Sequence, residues 1–305
     1  KRCVNTCKIV LALRYSLGYI GVKANVRDTG ACRRRSGSIR SVRTAVDFLR
    51  GKRLERKGCL AVGVAISLEG KNAIVTGGGG GMGRCTALML AEAGANVLVS
   101  DMNKEAADAV AEEIVRRFGV KAVSNCCNVT SKAQIDAMVD EAVKAFGRID
   151  ILNHVAGVFG AVDFLEATEE DYDKQLNVNT KGTFFVDQAV LRVMIPNRAG
   201  KIVNMCSQAG KYGFPTNVAY TTSKFGVTGM TQSIAQYAAP YNINVNCVCP
   251  GIVRTNIWEK ALEDIRCQGG DPEAYFESRL QGIPLKRAQT MEDIAHMFLY
   301  LSSSF

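Results

Sequence analysis

Residues 73–83 read Ala-Ile-Val-Thr-Gly-Gly-Gly-Gly-Gly-Met-Gly, and this passage decides the fold. The β-branched run ending at Thr76 has the character of a buried strand, and the apolar spacing that follows Met82 and Gly83 that of a helix. Between them the glycines, Gly77 to Gly81, let the backbone turn tightly and come close to a phosphate. The opening of the helix adds unpaired N–H groups and the positive end of its dipole. A glycine loop alone also serves as a plain turn. What raises this one is Asp101, at the end of the next apolar run and eighteen residues beyond Gly83. A carboxylate there can accept hydrogen bonds from both hydroxyls of an adenosine ribose. The competing reading of Asp101 is a cap on the helix beginning near Lys104.

Outward from this passage, short strand-like runs fall at 73–76, 96–100, 121–125, 149–153, 201–205 and 242–248. Helical patterns lie between them at 82–93, 104–118, 132–146, 169–194 and 217–239. Alternation at this spacing predicts right-handed βαβ units and a parallel sheet covered on both faces, an α/β fold of the doubly wound Rossmann type. The pattern begins near residue 68, so two segments are expected. Residues 68–305 form the dinucleotide-binding domain. Residues 1–67 form a basic extension that lacks periodicity and should be mostly disordered.

The charge supports that division. Of 38 Lys and Arg, sixteen fall within the first 65 residues against three Asp and Glu, a net of +13 there; the remainder carries 22 bases against 26 acids. The overall +9 therefore belongs to the extension. Its Arg-rich, acid-poor composition suits an organelle transit peptide, a tail for nucleic acid or another acidic surface, or an upstream stretch without function. The chain opens on Lys1-Arg2 without Met, as an incomplete or over-extended sequence would. No apolar run is long enough to cross a membrane. The eleven cysteines are odd in number and none form a C-x-x-C pair, which reads as reduced thiols of a cytoplasmic protein. No metal-ligand set is visible, the two histidines being His154 and His296. The mildly acidic domain gives no support to nucleic acid as a partner.

Tyr220 and Lys224 stand four apart on one predicted helix and so share a face. A tyrosine with an ordinary pKa of about 10 is too weak a base near neutrality, and a nearby ammonium favours its ionised form. Ser207, thirteen residues earlier at a strand end, can hold the oxygen whose proton Tyr220 moves. Asn179, a poor helix former, sits inside a long helical pattern.

Thr76–Gly83, Asn177-Val178-Asn179-Thr180-Lys181-Gly182, Ser207, Tyr220-Thr221-Thr222-Ser223-Lys224 and Pro250-Gly251-Ile252-Val253-Arg254-Thr255 occur in order. In this the chain, over roughly 70–305, resembles the short-chain dehydrogenase/reductase family. The resemblance implies an oxidoreductase acting on CH–OH groups with a catalytic set of Asn179, Ser207, Tyr220 and Lys224, Asn179 holding a water that links the lysine to solvent. It implies NAD as cofactor, held by Thr76, Gly77, Gly81, Met82, Gly83, Asp101, Asn128, Val129, Ala156, Gly157, Tyr220, Lys224, Pro250, Gly251, Val253 and Thr255. Two positions depart from the family. His154-Val155-Ala156-Gly157 replaces Asn-Asn-Ala-Gly, keeping the close backbone approach but losing amides that tie strands; His154 is read as a structural stand-in. Asn128 replaces an Asp that faces the adenine amino group, and its carbonyl oxygen can still accept that bond.

The stretches 206–211 and 249–258 look most like acetoin reductases, butanediol dehydrogenases and sorbitol-type polyol dehydrogenases. The expected substrate is therefore a small secondary alcohol, diol, polyol or hydroxyketone. Gln208 would bond a second substrate oxygen, and Trp258 would form a wall, unless it is simple core packing. Residues 256–282 should form a mobile lid with a loop at Gly269-Gly270. The alternatives are a 3-oxoacyl-carrier reductase and a non-catalytic NAD-binding relative. Family members continue past the point matching Phe305 with another strand, so we expect an open sheet edge here and a homo-oligomer once that strand is present.

Overall fold

The computed structural model describes residues 9–11, 22–24, 66–267 and 269–304. By its contacts the chain divides into a unit of residues 1–64 and a unit of residues 65–305. In the first, Ile9–Leu11 pairs antiparallel with Val22–Ala24. The expectation of disorder for the extension otherwise falls outside the described residues.

In the second unit, strands β1 (Asn72–Thr76), β2 (Asn96–Asp101), β3 (Ala122–Cys126), β4 (Ile151–His154), β5 (Gly200–Met205) and β6 (Ile243–Val248) form one parallel sheet in the order β3-β2-β1-β4-β5-β6. Every residue of β1 is buried, as the centre of a sheet covered on both sides requires. One face packs on helices α1 (Gly81–Glu92), α2 (Lys104–Phe118) and α9 (Met291–Ser302), through residues such as Val97, Leu90, Ile114 and Phe298. The other packs on α3 (Lys132–Phe146), α5 (Thr183–Met194) and α6 (Val218–Ala238), through Ile74, Leu152, Met138 and Met194.

Several helix ends follow from single residues. Asn103 caps α2 by accepting from Ala106 N, and Gly119 in the left-handed region closes it. Ser131 caps α3 in the same way. The pattern at 169–194 is not one α-helix. It is α4 (Glu169–Gln175), a π-helical turn at Leu176–Gly182, and α5. The expected lid is also more ordered than a loop: it contains α7 (Asn256–Cys267) and α8 (Pro272–Leu280), with Gly269 at φ +81 in the turn between them. No helix among the described residues is long and apolar enough to cross a membrane.

Candidate active site

The C-terminal ends of β1, β2, β4, β5 and β6 all point to one side, and the site is built there. After β1, Gly77 has φ +65, and a Cβ on it would stand 2.9 Å from the backbone of Ala156. A Cβ on Gly83 would fall 1.9 Å from the carbonyl oxygen of Gly77. Both positions therefore require glycine, and together they fold the loop back on the start of α1. That helix has no side-chain cap and no acid in its first turn. An uncapped helix end beside a turn free of side chains suits a diphosphate, so these residues fit a dinucleotide. Thr76 serves the same turn: its Oγ1 accepts from Ala156 N at 3.3 Å.

Asp101 stands at the end of β2 as expected, and it is not the helix cap. One carboxylate oxygen accepts from Gly79 N at 2.9 Å and the other from Asn103 N at 3.0 Å. Each oxygen keeps a lone pair for a ribose hydroxyl. The base nearest to Asp101 in sequence, Lys104, bonds Asp108 and, at 3.1 Å, Ser124. Asn128 differs from expectation. Its Oδ1 accepts from both N and Oγ1 of Thr130, at 3.0 and 2.9 Å, so the oxygen meant for adenine is already engaged. Val129 is 7% exposed and belongs to the core beneath Gly182.

Where the family's amides are missing, His154 does their work. It is 1% exposed and its Nδ1 hydrogen-bonds Thr76 Oγ1 at 2.8 Å across β1 and β4. Burial, with the Lys224 ammonium adding to it, pushes its pKa down to about 3, so it is neutral. Its Nε2 has no partner. Such a group is structural, not a base. His296 is exposed on α9.

Of the residues expected to be catalytic, Ser207, Tyr220 and Lys224 converge on a cavity of about 290 Å³, lined also by Gln208, Gly251 and Trp258 among others; Asn179 does not line it. Ser207 follows β5, and its Oγ accepts from Ala209 N at 3.1 Å. Tyr220 lies on the first turn of α6 and meets Phe159 edge to face at 5.0 Å. Lys224 is 3% exposed; its Nζ donates to Met205 O at 3.0 Å and lies 5.7 Å from the centre of the Tyr220 ring. Burial pushes Lys224 down to about 8, the ammonium keeping one backbone acceptor in an apolar setting. Burial also pushes Tyr220 up from its ordinary value, against the pull of the Ser207 hydroxyl. The expectation is that the Lys224 ammonium, with the positive charge of an oxidised nicotinamide, favours tyrosinate; in the structure burial is the largest effect on the phenol.

The π-helical turn explains why an asparagine stands inside a helix. It turns Asn179, 1% exposed, toward the loop after β4. There Val158 N donates to Oδ1 and Nδ2 donates to Val158 O, both at 2.9 Å, and Nδ2 also donates to Ser223 Oγ at 3.0 Å. The side chain is thus spent on positioning. The backbone carbonyl accepts from Thr183 Oγ1 at 2.6 Å and, with a second lone pair, could also accept from a water.

Met82, Gly157, Pro250, Val253 and Thr255 line the same cavity, as the motifs implied. Gln208 accepts from the Tyr212 hydroxyl at 2.7 Å, which fixes its amide at the cavity wall. Trp258 lines the cavity and also packs edge to face on Phe276 at 5.3 Å. Phe159, Asn217, Tyr275 and Arg279 line the cavity too, and sequence reasoning missed them. The helix start Asp271-Pro272-Glu273 was a readable signal for the last two, since Asp271 caps α8 with proline in its first turn.

A parallel sheet with a switch in strand order at β1 and β4, a glycine turn on an uncapped helix, and a buried Tyr–Lys pair beside a serine define a dinucleotide-dependent oxidoreductase. A family model described as short chain dehydrogenase matches residues 71–266. The chain belongs to the short-chain dehydrogenase family. It is 39% identical over 236 residues to 3-oxoacyl-[acyl-carrier-protein] reductase FabG of Thermotoga maritima, covering 77% of this chain and 92% of that protein. It is 37% identical over 238 residues to L-2,3-butanediol dehydrogenase of Corynebacterium glutamicum, covering 76% and 92%. The crystal structure of NAD+-bound xylitol dehydrogenase superposes with a TM-score of 0.72 at 35% identity, covering 77% of this chain and 93% of that one. The enzyme acts on CH–OH groups and their ketones with a nicotinamide dinucleotide.

Proposed function

We propose that the chain interconverts a small secondary alcohol, such as a diol, polyol or hydroxyketone, and its ketone, with NAD as the preferred cofactor. The observation that carries the cofactor choice is Asp101. Its carboxylate is tied to the glycine loop through Gly79 N, and Lys104, the base nearest to it in sequence, is paired with Asp108, which limits how far it can offset the charge of a 2′-phosphate. The apolar cavity wall of Phe159 and Trp258 with the fixed amide of Gln208 suits a compact substrate bearing a second oxygen.

A nicotinamide held here would supply the hydride acceptor for alcohol oxidation and, reduced, the hydride donor for ketone reduction. The glycine turn and the start of α1 would hold its diphosphate, Asp101 its adenosine ribose, and Pro250, Gly251, Val253 and Thr255 its carboxamide end. Ser207 holds the substrate oxygen. Tyr220 takes the hydroxyl proton in oxidation and gives one in reduction, and Lys224 lies close enough to favour tyrosinate. Asn179 positions the loop at Val158 against this set. Small molecules and further copies of this chain are the proposed partners; nucleic acid is not.

The test is initial-rate measurement of NADH formation across diols, polyols, hydroxyacids and 3-hydroxyacyl thioesters, with both cofactors. Tyr220→Phe should retain NAD binding and lose turnover by about 10²–10⁴-fold. Preference for the acyl thioesters would favour the alternative reading, and near-full activity of the Phe variant would remove Tyr220 from the mechanism.

A further inference from the structure

Three thiols that this chemistry does not use converge behind the catalytic strand ends. Cys206 follows β5 by one residue, Cys247 lies within β6, and Cys249 follows β6 by one. The two strands run parallel in the register Asn204↔Cys247 and Met205↔Val248. Beyond them, Cys206 N donates to Val248 O at 2.8 Å. Alternation along the strands then places residues 204, 206, 247 and 249 on one face. It is the face that α6 covers: Asn204 Nδ2 reaches Thr231 on that helix at 3.3 Å. Cys206 Sγ is oriented there by Lys224 O at 3.3 Å and Thr228 Oγ1 at 3.2 Å.

The three sulfurs all lie within 4.8 Å of one another, the only such trio of potential ligands among the described residues. Zinc bound to thiolates at about 2.3 Å in tetrahedral geometry sets its sulfurs about 3.8 Å apart. Closing the difference takes side-chain rotation, not a shift of the sheet. Cys206 is buried, and Cys247 and Cys249 are partly exposed, so an ion has a way in. The donors decide the ion. Three thiolates without a carboxylate select a soft cation over calcium or magnesium. Three thiolates and one zinc leave a net charge of −1, which the buried Lys224 ammonium offsets.

We propose that Cys206, Cys247 and Cys249 form a zinc site with a fourth position open to water, clipping together the C-terminal ends of β5 and β6. As the three Zn–S bonds form, the three thiols release their protons to solvent. The site adjoins the catalytic cavity, which Cys206 helps to line, but it does not depend on the choice of substrate.

The test uses the full chain, reduced and stripped of metal with a chelator, with cobalt(II) as an optical probe. One equivalent should produce thiolate-to-cobalt charge-transfer bands that zinc abolishes, and zinc should raise the thermal midpoint. Alkylation mapped by mass spectrometry should show zinc shielding Cys206, Cys247 and Cys249, while Cys126 and Cys267 react as before. Cys247→Ser and Cys249→Ser should each weaken cobalt binding by about 10–100-fold, with Cys267→Ser unchanged. Absent charge-transfer bands, or shielding confined to other cysteines, would overturn the proposal even if a variant failed to fold.

Discussion

Asp187 and Asn204 face each other in the core, each almost wholly buried, joined by one hydrogen bond from Asn204 Nδ2 to Asp187 Oδ2 at 2.8 Å. The remaining oxygens, Asp187 Oδ1 and Asn204 Oδ1, have no donor. A proton on Asp187 supplies the donor they lack, and burial pushes that carboxyl up to about 7. Because the folded value lies above the unfolded one, the stability it contributes is full below about pH 4. It is lost as pH rises through 7. Asp187→Asn should therefore stabilise the protein in chemical denaturation at alkaline pH, by on the order of 1–3 kcal/mol, and the gain should vanish at acid pH. A gain that is independent of pH would mean the carboxyl is ionised in the core. Asp101 is the residue on which the proposed cofactor choice turns. A 2′-phosphate near its carboxylate costs roughly 4 kcal/mol per pair of unit charges at about 4 Å and an effective dielectric near 20, besides the lost ribose bond. NAD should exceed NADP in kcat/KM by at least about tenfold, a conservative fraction of that cost. Asp101→Ser should narrow or reverse the gap. Tyr220 adds a sign: burial pushes its phenol up from the ordinary value, so alcohol oxidation, which needs the deprotonated phenol, should rise with pH across the range in which the protein stays folded, and ketone reduction should not.

At the scale of elements, α7 and α8 make the substrate side of the cavity. Trp258 on the first rests on Phe276 of the second, and Arg254 stacks on the same Phe276 ring at 5.2 Å while pairing with Glu259 and Glu273 at 2.7 and 2.8 Å. Trp258→Ala should raise KM for the alcohol by about tenfold, equivalent to about 1.4 kcal/mol, with KM for NAD unchanged. An unchanged alcohol KM, with only the thermal midpoint lowered, would return Trp258 to core packing. How far such elements were legible depends on where their cause lies. The ends of α2 and α3 were readable because local side chains set them: Asn103 and Gly119 for one, Ser131 and Gly147 for the other. The tyrosine–lysine pair was readable because helical spacing alone brings it to one face. The π-helical turn at Asn179 was not, since its irregular bonding is held by Val158 and Ser223, 21 and 44 residues away. The three thiols were illegible for the same reason: they sit at positions 206, 247 and 249, and only the pairing of β5 with β6 makes them neighbours. The engagement of Asn128 with Thr130 is local and could have been anticipated as an Asx turn.

For the whole molecule, the boundary between extension and enzyme is set by burial. Leu68 is 2% exposed in the core, and Ile66 packs against the same cluster. A cut after residue 67, as the sequence pattern alone recommends, would remove the contact of Ile66; a cut after Val64, where the contacts divide, keeps it. Deleting residues 1–64 should leave NAD affinity unchanged and the thermal midpoint within about 2 °C, while deletion through Ser67 should lower that midpoint. A large loss from the shorter cut would show that the extension supports the fold. The strand order has a further consequence, in time rather than in space. β1 stands at the centre of the sheet, yet its neighbour β4 follows it by 78 residues, as the Thr76–His154 pair records. On the ribosome, β1 and β2 can dock with α1 as soon as they emerge, but one edge of β1 stays bare until β4 is made, several seconds later at ordinary rates of synthesis. A nascent chain paused near Phe146 would carry an apolar strand with an open edge and the glycine turn without Ala156 to press against. Such a chain is a natural client for a chaperone that shields strand edges, and cofactor would reach its binding turn only after that guardianship ends.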